Sequence, residues 1–408
     1  MAEQTIVQRF DISAPGKVIL HGEHSVVYGH PAIAGSIGLR TYLTYTALAS
    51  SSSPPQVIVE FRSIPFTASL PLDLFDAFLR ELDCNETLQP DAFLEQLRSP
   101  GDFPFARFVS DPAPSLADVT SKERMSLGST LYIINRVLRS EGVQSIDRCC
   151  LGAGGFQLSL HSEMSIGAGL GSSASYGVCL AAGAYHLSRI LKAQFNRDPS
   201  AMNPDVLKKI YRWSFDSEII MHVKPSGIDN EIATNGGLVC FRRGTGVDKV
   251  IKLRRPVRVL IVDTGVSRST AQLVAAVAKR LELFPRTVGP ILESMGGVVD
   301  EAIALFESEN HEPDTVYDRL STLVNINNNL LRSVGVSHPA LEAIFAIAER
   351  GGFASKLTGA GGGGCAFVLL PDGFRELDSF QRLVGALAEA GFRTMETTVG
   401  TGAGVTLS

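Results

Sequence analysis

Long hydrophobic runs are absent from this 408-residue sequence, which has no apolar stretch of the roughly 18 to 20 residues that would cross a bilayer. Residues 1–9 also lack the charged-then-apolar build of a secretory signal. The six cysteines form neither a disulfide framework nor a CxxC zinc pattern, since only Cys149 and Cys150 are adjacent. These absences predict a cytoplasmic protein with free thiols.

An excess of positive charge is missing as well. Lysine and arginine number 37 against 42 aspartates and glutamates, and the formal net charge is −5. No global positive field therefore exists to attract nucleic acid or an anionic membrane, and we expect neither as a partner. The chain also has no GxxxxGK[ST] loop and no GxGxxG followed by a ribose-binding acid. P-loop nucleotide binding is excluded, and Rossmann-type dinucleotide binding is disfavoured.

The composition that is present belongs to a folded globular protein, with 45% hydrophobic and 19% charged residues. Glycine is abundant, at 39 of 408 residues against an average usage of about 7%. The length favours two domains. Because helical periodicity dominates from residue 270 onwards, we place the boundary so that residues 1–245 and 246–408 form the two domains.

Local patterns predict the elements that carry the chemistry. Residues 9–20 predict a strand, a turn at Ala14-Pro15-Gly16 and a second strand. A helix is predicted over 339–350, and strands are predicted over 353–358 and 365–370, on either side of a glycine cluster.

A glycine-rich loop precedes a predicted helix at GAGLGSSA. Such a loop permits close backbone approach and directs N–H groups at the helix N-terminus, where the helix dipole favours an anion such as a polyphosphate. The alternative is that Ser172 or Ser173 is a helix cap and nothing more. The residues of this candidate nucleotide-binding loop are Gly167, Ala168, Gly169, Leu170, Gly171, Ser172, Ser173 and Ala174.

A second cluster places five glycines in the six positions 359–364, between two predicted strands. Each glycine adds entropy to the unfolded chain, so this is an unfavourable way to build an ordinary hairpin. A flexible surface loop is the alternative, but the neighbouring Lys356 and Thr358 weaken it. The pattern favours a backbone that another element or a ligand approaches closely.

Charged residues beside turns complete the set of candidates. Lys17 follows Pro15-Gly16, and Glu23 and His24 follow a second glycine, which suggests side chains presented at a cleft by a rigid strand. Glu218 lies near a helix end, and Asp229 follows a Pro-Ser-Gly turn. Taken alone, each is a solvated charge or a cap. Together the two acids offer one ligand for Mg²⁺ and one proton acceptor, as phosphoryl transfer requires.

These segments resemble the GHMP kinase family, whose three motifs occur here in family order. They are SAPGKVILHGEH from residue 13, GAGLGSSAS from residue 167 and KLTGAGGGGC from residue 356, so the resemblance covers nearly the whole chain. Within the family, the details resemble the branch that phosphorylates mevalonate. Galactokinases carry Arg where Lys17 stands, phosphomevalonate kinases lack the Gly-Glu-His, and PSGIDN and Arg268-Ser269-Thr270 fit the mevalonate branch.

The resemblance implies an α+β fold of two domains, the first like ribosomal protein S5 and the second ferredoxin-like, with the active site in the cleft between them. It implies Mg²⁺-dependent transfer from ATP to the primary hydroxyl of (R)-mevalonate, giving 5-phosphomevalonate for isoprenoid and sterol precursors, in a homodimer. Asp229 would be the catalytic base with Lys17 as its partner, and we expect the two side chains to lie in contact. Ser173 and Glu218 would be the Mg²⁺ ligands. The substrate side would be lined by Lys17, Glu23, His24, Asp229, Thr270 and Gly361.

Three alternatives stay open at this point. In the first, the chain is another small-molecule kinase of the family, of galactokinase or phosphomevalonate kinase type. In the second, the chain is a sensor with the same fold that binds ATP and a metabolite without turnover, since fold alone does not fix function. In the third, Lys17 and Asp229 form a structural ion pair or do not contact each other. The chain departs from its relatives at Val223-Lys224, and residues 56–118 receive no role.

Overall fold

The computed structural model describes residues 7–49, 54–82, 88–98, 120–146, 151, 153–194, 202–222, 226–308 and 313–408. Strands and helices alternate irregularly up to residue 251. The strands of this part are β1 (Arg9–His21), β2 (Pro31–Ala47), β3 (Gln56–Phe61), β4 (Phe66–Pro71), β5 (Gly155–Ser162), β6 (Leu238–Arg242) and β7 (Gly246–Ile251). Its helices are α1 (Leu72–Glu81), α2 (Pro90–Arg98), α3 (Ser121–Ser140), α4 (Ser172–Leu191), α5 (Pro204–His222) and α6 (Ile228–Asn235).

Helices take up a larger share of the described residues in the remainder of the chain, as the periodicity predicts. The strands there are β8 (Val257–Asp263), β9 (Ser355–Leu357), β10 (Cys365–Leu370), β11 (Arg393–Val399) and β12 (Thr406–Leu407). The helices are α7 (Thr270–Leu283), α8 (Pro285–Glu307), α9 (Pro313–Ser333), α10 (Pro339–Arg350) and α11 (Asp378–Glu389). Among the described residues, none of these helices is long and apolar enough to cross a membrane.

Strand β2 joins the two halves of the molecule. The strands form one twelve-stranded sheet whose main path runs β4-β3-β5-β2-β11-β8-β10-β9. β2 pairs with β1, β5 and β6 from the first half, and its Ile37 pairs with Val399 of β11 from the second. β1 pairs along most of the seventeen-residue β2, whereas β5, β6 and β11 occupy different stretches of it.

Most of the apolar core lies in three clusters. One contains Phe10 and Tyr45 and fills the first half, and another contains Leu260 and Phe345 and fills the second. The third joins the halves, because it includes Val18 and Ile37 from β1 and β2 together with Phe367 from β10. Burial of apolar surface therefore holds the two glycine clusters in one rigid frame.

After β11 the chain returns to the first half as a C-terminal strap, residues 400–408. β12 pairs with β1, and Asp11 and Ser408 exchange two backbone hydrogen bonds of 2.8 Å. The Arg40 guanidinium donates to the carbonyls of Ser13, at 2.9 Å, and Gly404, at 2.7 Å. Val405 N–H donates to the Thr234 carbonyl at 3.0 Å, so the strap also holds the end of α6.

Two local features differ from or extend the sequence predictions. The predicted turn at residues 14–16 is wrong, since β1 is one strand whose register against β2 shifts between Pro15 and Lys17. Such a shift lets an extended strand pass a Pro-Gly pair without reversing direction. The predicted domain boundary at residues 245 and 246 falls at the β6–β7 hairpin and stays a prediction.

Candidate active site

Lys17 and Asp229 meet, although they lie far apart in the sequence. Lys17 lies in β1 at the register shift, and Asp229 is the second residue of α6. Lys17 Nζ lies 3.2 Å from Asp229 Oδ1, with the lysine side chain 8% exposed and the aspartate 28%. The predicted contact is confirmed. The pair is shielded on the lysine side and open on the carboxylate side, so the carboxylate can meet a ligand from solvent.

Glu218 lies beside this pair, in the last turns of α5, and its side chain is buried. Burial and then the charge of nearby Asp229 raise the pKa of Glu218 to about 8, while a hydrogen bond from Ser173 and the charge of Lys17 act in the opposite direction. Two carboxylates thus converge on one lysine and one serine hydroxyl. A single ammonium leaves this group short of positive charge.

This donor set fits a magnesium ion. Among the described residues no cluster of three or more His, Cys, Asp or Glu side chains forms a complete metal cage. Mg²⁺ does not need one, because it is usually held by one or two carboxylates together with water and substrate phosphates. The close Glu218 and Asp229 carboxylates, with the Ser173 hydroxyl, are the hard oxygen donors that such an ion prefers.

The first glycine cluster forms the N-terminus of α4. Gly171 is the N-cap, at φ 73°, and no side chain caps the helix. The alternative that Ser172 or Ser173 is the cap is therefore wrong, and the first N–H groups of this twenty-residue helix lack a side-chain acceptor. Gly171 also makes room for Lys17, since a Cβ there would lie 2.9 Å from Lys17 Cγ. Lys17 N–H donates to the Leu170 carbonyl at 2.8 Å, which fixes the loop against β1.

The second glycine cluster connects β9 and β10, which pair antiparallel as the two predicted strands require. It is fastened to the end of β1. Thr358 Oγ1 accepts from Ile19 N–H at 3.1 Å and donates to the Ile19 carbonyl at 3.0 Å. His24 Nε2 lies 2.9 Å from the Ala360 carbonyl. Another element does approach this backbone closely, as predicted.

Glu23 is fully buried in an ion pair with Lys356, whose side chain is fully buried too. Asn327 of α9 donates to the same carboxylate at 3.1 Å. Burial raises the pKa of Glu23 and lowers that of Lys356, while the pairing opposes both changes. Glu23 thus joins the end of β1 to α9 and β9, and direct contact with a substrate stays a prediction.

The remaining predicted residues are Thr270 and Gly361. Thr270 is the first residue of α7 and is exposed. Gly361 packs tightly against the connection between α9 and α10, since a Cβ there would lie 2.1 Å from the Val336 carbonyl oxygen. Val223 and Lys224 lie outside the described residues.

Comparison with known proteins places the chain. The family model described as the GHMP kinases N terminal domain matches residues 133–237, and the GHMP kinases C terminal model matches residues 303–391. Mevalonate kinase of Mus musculus is 34% identical over 402 residues, covering 95% of this chain and 93% of that protein. Mevalonate kinase of Gibberella zeae is 36% identical over 414 residues, covering 96% and 76% respectively. This chain belongs to the GHMP kinase family.

Solved GHMP kinases share the fold. The Leishmania (L. major) mevalonate kinase in complex with R-mevalonate superposes with a TM-score of 0.63 at 23% identity, covering 96% of each chain. The Methanococcus jannaschii mevalonate kinase superposes with a TM-score of 0.64 at 23% identity, covering 95% of this chain and 98% of that one. The predicted mixed α/β, two-domain GHMP kinase fold is confirmed.

Sequence reasoning missed two contributors to this GHMP kinase site. Arg268 stands out only as part of an Arg-Ser-Thr run, yet its guanidinium reaches both glycine clusters. Asn327 gives no signal, because an amide in a polar helix resembles any exposed residue. The usable signal for Arg268 is its place in the short connection between a buried strand and a helix, close to where both clusters must lie.

Proposed function

We propose that this chain transfers the γ-phosphoryl group of ATP to the primary hydroxyl of (R)-mevalonate, giving 5-phosphomevalonate and ADP. The observation that carries the proposal is the Lys17–Asp229 ion pair beside Glu218 and the uncapped N-terminus of α4. The 34% identical mouse relative, which carries the name mevalonate kinase, supports the choice of substrate.

The loop at residues 167–174 would hold the nucleotide. Its backbone N–H groups and the positive end of α4 attract phosphate, and they have no side chain as a competing acceptor. Ser173 and Glu218 would hold Mg²⁺, which when bound neutralises charge on the transferring phosphate. Lys17, which packs against Gly171, brings a further positive charge to the same place.

Asp229 would act as the general base. As the substrate oxygen attacks phosphorus, its proton passes to the Asp229 carboxylate, the new O–P bond forms, and the bond to the bridging oxygen of ADP breaks. Lys17 Nζ, 3.2 Å from that carboxylate, is placed to stabilise negative charge on the alcohol oxygen. Rigid positioning by β1 and α6 supplies much of the rate enhancement.

The substrate side would be formed by His24, Thr270 and Gly361. His24 is held by the Ala360 carbonyl, and Thr270 is exposed at the start of α7. Glu23, which is held by Lys356, would also belong to this side, and its contact with the substrate stays a prediction. A homodimer and a cytoplasmic location stay predictions.

A substrate panel tests the proposal. ADP release is followed with mevalonate, galactose, homoserine and phosphomevalonate, each with and without Mg²⁺. We expect turnover with mevalonate alone, and only with Mg²⁺ present. Turnover with galactose or phosphomevalonate in its place contradicts the substrate assignment. Calorimetric binding of both ATP and mevalonate without product contradicts the enzyme assignment and favours the sensor.

A further inference from the structure

Arg268 lies between the two glycine clusters. It belongs to the connection between β8 and α7, and it is partly buried. Arg268 Nη1 donates to the carbonyls of Thr358 and Gly361, at 3.3 Å each, and Nη2 donates to the Ala168 carbonyl at 3.5 Å. One guanidinium therefore bonds to the loop at residues 167–171, the first loop, and to the loop at residues 358–364, the second loop.

Three glycines make room for this guanidinium. A Cβ at Gly169 would lie 1.7 Å from Arg268 Nη2, one at Gly359 would lie 2.8 Å from the same atom, and one at Gly364 would lie 2.8 Å from Arg268 Cζ. Real Cβ atoms do not come this close to a neighbour, so a side chain at any of the three positions would displace the guanidinium. Three of the eight glycines in the two loops thus lie against an arginine of the same chain.

The backbone before Arg268 also binds the second loop. Gly364 N–H donates to the Val266 carbonyl at 3.0 Å, and Thr264 Oγ1 donates to the Gly364 carbonyl at 2.7 Å. The connection from residue 264 to residue 268 therefore runs along the second loop before the guanidinium reaches across to the first. The guanidinium hydrogen bond to Ala168 connects this segment to the first loop, and the Ala168 carbonyl also packs against Gly364, where a Cβ would lie 2.9 Å from its oxygen.

We propose that Arg268 is a positioning residue that holds the two glycine loops together and thereby couples the site of the nucleotide to the site of the alcohol. Which ligand lies on which side rests on the proposed function, whereas the link between the loops does not. An arginine suits this task, since a planar fork with five donors can serve several carbonyls at once. A lysine, with one flexible ammonium, cannot reproduce that geometry.

The charge of Arg268 also reaches the reacting groups. Burial lowers the Arg268 pKa, while the negative charge of Asp229 opposes this change. The guanidinium nevertheless stays protonated at any pH at which the protein is folded. A movement of either loop therefore alters the charge that Asp229 meets, which gives the coupling a route to catalysis.

Hydrogen exchange in the ligand-free protein tests the link itself. The reporters are the Ala168 amide in the first loop and the Gly362 and Gly364 amides in the second, all of which donate within the protein. In Arg268→Ala and Arg268→Lys we expect exchange to rise at least about tenfold in both loops, the effect of losing charge-assisted hydrogen bonds. Arg375→Ala is the control, since Arg375 is 74% exposed and pairs with Glu396 far from the site.

Unchanged exchange in the loops, or acceleration in one loop alone, overturns the proposal. Equal acceleration throughout α8 and α9 overturns it as well, because it indicates general destabilisation. If Arg268→Ala does not fold, Arg268→Lys retains the charge and decides the question.

A matched glycine pair gives an independent test. Gly167 and Gly169 have nearly the same φ, 81° and 85°, yet a Cβ at Gly167 meets nothing within 4 Å. Both alanine variants suffer the same backbone strain, but only Gly169→Ala displaces Arg268. We expect Gly169→Ala to accelerate exchange at Gly362 and Gly364 in the opposite loop at least threefold more than Gly167→Ala does. Equal effects of the two variants contradict the link.

The coupling is measured as the ratio of dissociation constants of a non-hydrolysable ATP analogue without and with saturating mevalonate. We expect a ratio above one in the wild type that falls toward one in Arg268→Lys, while Arg375→Ala keeps the wild-type ratio. An unchanged ratio in Arg268→Lys overturns the coupling. If the wild type does not bind mevalonate, the proposed function fails, and the exchange measurements still decide whether Arg268 links the loops.

Discussion

Asp229 is the residue on which the proposed chemistry depends most directly, since its carboxylate is both paired with Lys17 and partly exposed. Asp229→Asn keeps size and hydrogen bonding but removes the proton acceptor. We expect kcat to fall at least about 100-fold, the usual contribution of a general base, with nucleotide affinity little changed. Steady-state kinetics and nucleotide titration measure both effects. Near-normal kcat combined with a lowered Tm would instead identify a structural ion pair.

Glu218 and Ser173 provide a prediction about magnesium. Glu218→Gln and Ser173→Ala each remove a hard oxygen donor or weaken one, so we expect a higher Mg²⁺ concentration for half-maximal activity and a raised KM for MgATP. Mevalonate affinity, measured by calorimetry, should change little. Ser172→Ala should keep the wild-type Mg²⁺ dependence, because Ser172 does not cap α4 and the N-cap is Gly171. A normal Mg²⁺ titration in both variants would contradict the assignment.

Glu218 also makes stability depend on pH in the absence of ligands. Its pKa rises from the ordinary 4.5 to about 8 in the folded protein, so between these values the native state binds a proton that the unfolded chain has released. The contribution is complete below the lower value and is lost as pH rises toward the upper one. Relative to Glu218→Gln, the wild type should lose stability by up to about 1 kcal/mol per pH unit across this window. Urea unfolding of both proteins at about pH 5.5 and 8.5 checks this. A constant difference would contradict it.

At the scale of elements, the sequence predicts what short-range patterns control. α10 spans Pro339–Arg350 and β10 spans Cys365–Leu370, both as predicted, because a helix start at proline and an unbroken apolar strand are local signals. β1 was predicted as two strands, because Pro15-Gly16 is a strong turn signal. Pairing with the much longer β2 overrides that signal, since a continuous ladder bonds more backbone groups than a turn does.

The candidate site also contains some residues that the sequence predicts and others that it does not. Lys17 and Asp229 are predictable as partners because the family resemblance includes both, Lys17 in its first motif and Asp229 in PSGIDN. The Glu23–Lys356 pair and the reach of Arg268 were not, since each joins elements whose relative placement only the folded sheet fixes. A charged residue that ends up buried looks the same in sequence as a solvated one.

The Glu23–Lys356 pair fastens β1 to β9 and predicts a specific pattern of stability. Glu23→Gln leaves a buried ammonium without its counter-charge, and we expect a loss of about 3 to 5 kcal/mol in the free energy of unfolding. The double variant Glu23→Gln/Lys356→Met removes both charges and should lose less than the sum of the single variants. Equilibrium unfolding of the four proteins gives the coupling energy. Additive losses would show that the pair contributes nothing beyond its separate parts.

At the scale of the whole molecule, the C-terminal strap connects the end of the second half to β1 in the first half, and Arg40 bonds to both β1 and the strap. Arg40→Met leaves the Ser13 and Gly404 carbonyls without their charged donor, and we expect the free energy of unfolding to fall by about 2 to 3 kcal/mol. Arg62→Met is the control, because Arg62 pairs with Glu60 in an exposed position worth about 0 to 1 kcal/mol. Equal losses in the two variants would show that the strap does not depend on Arg40.

The strap also orders events during protein synthesis. β1 leaves the ribosome long before β12 and Ser408, which pair with it. The end of α6, the helix that carries Asp229, likewise accepts a hydrogen bond from Val405, which is synthesised much later. We therefore expect a nascent chain to keep this edge of β1 unpaired until residues 406–408 have emerged from the ribosome.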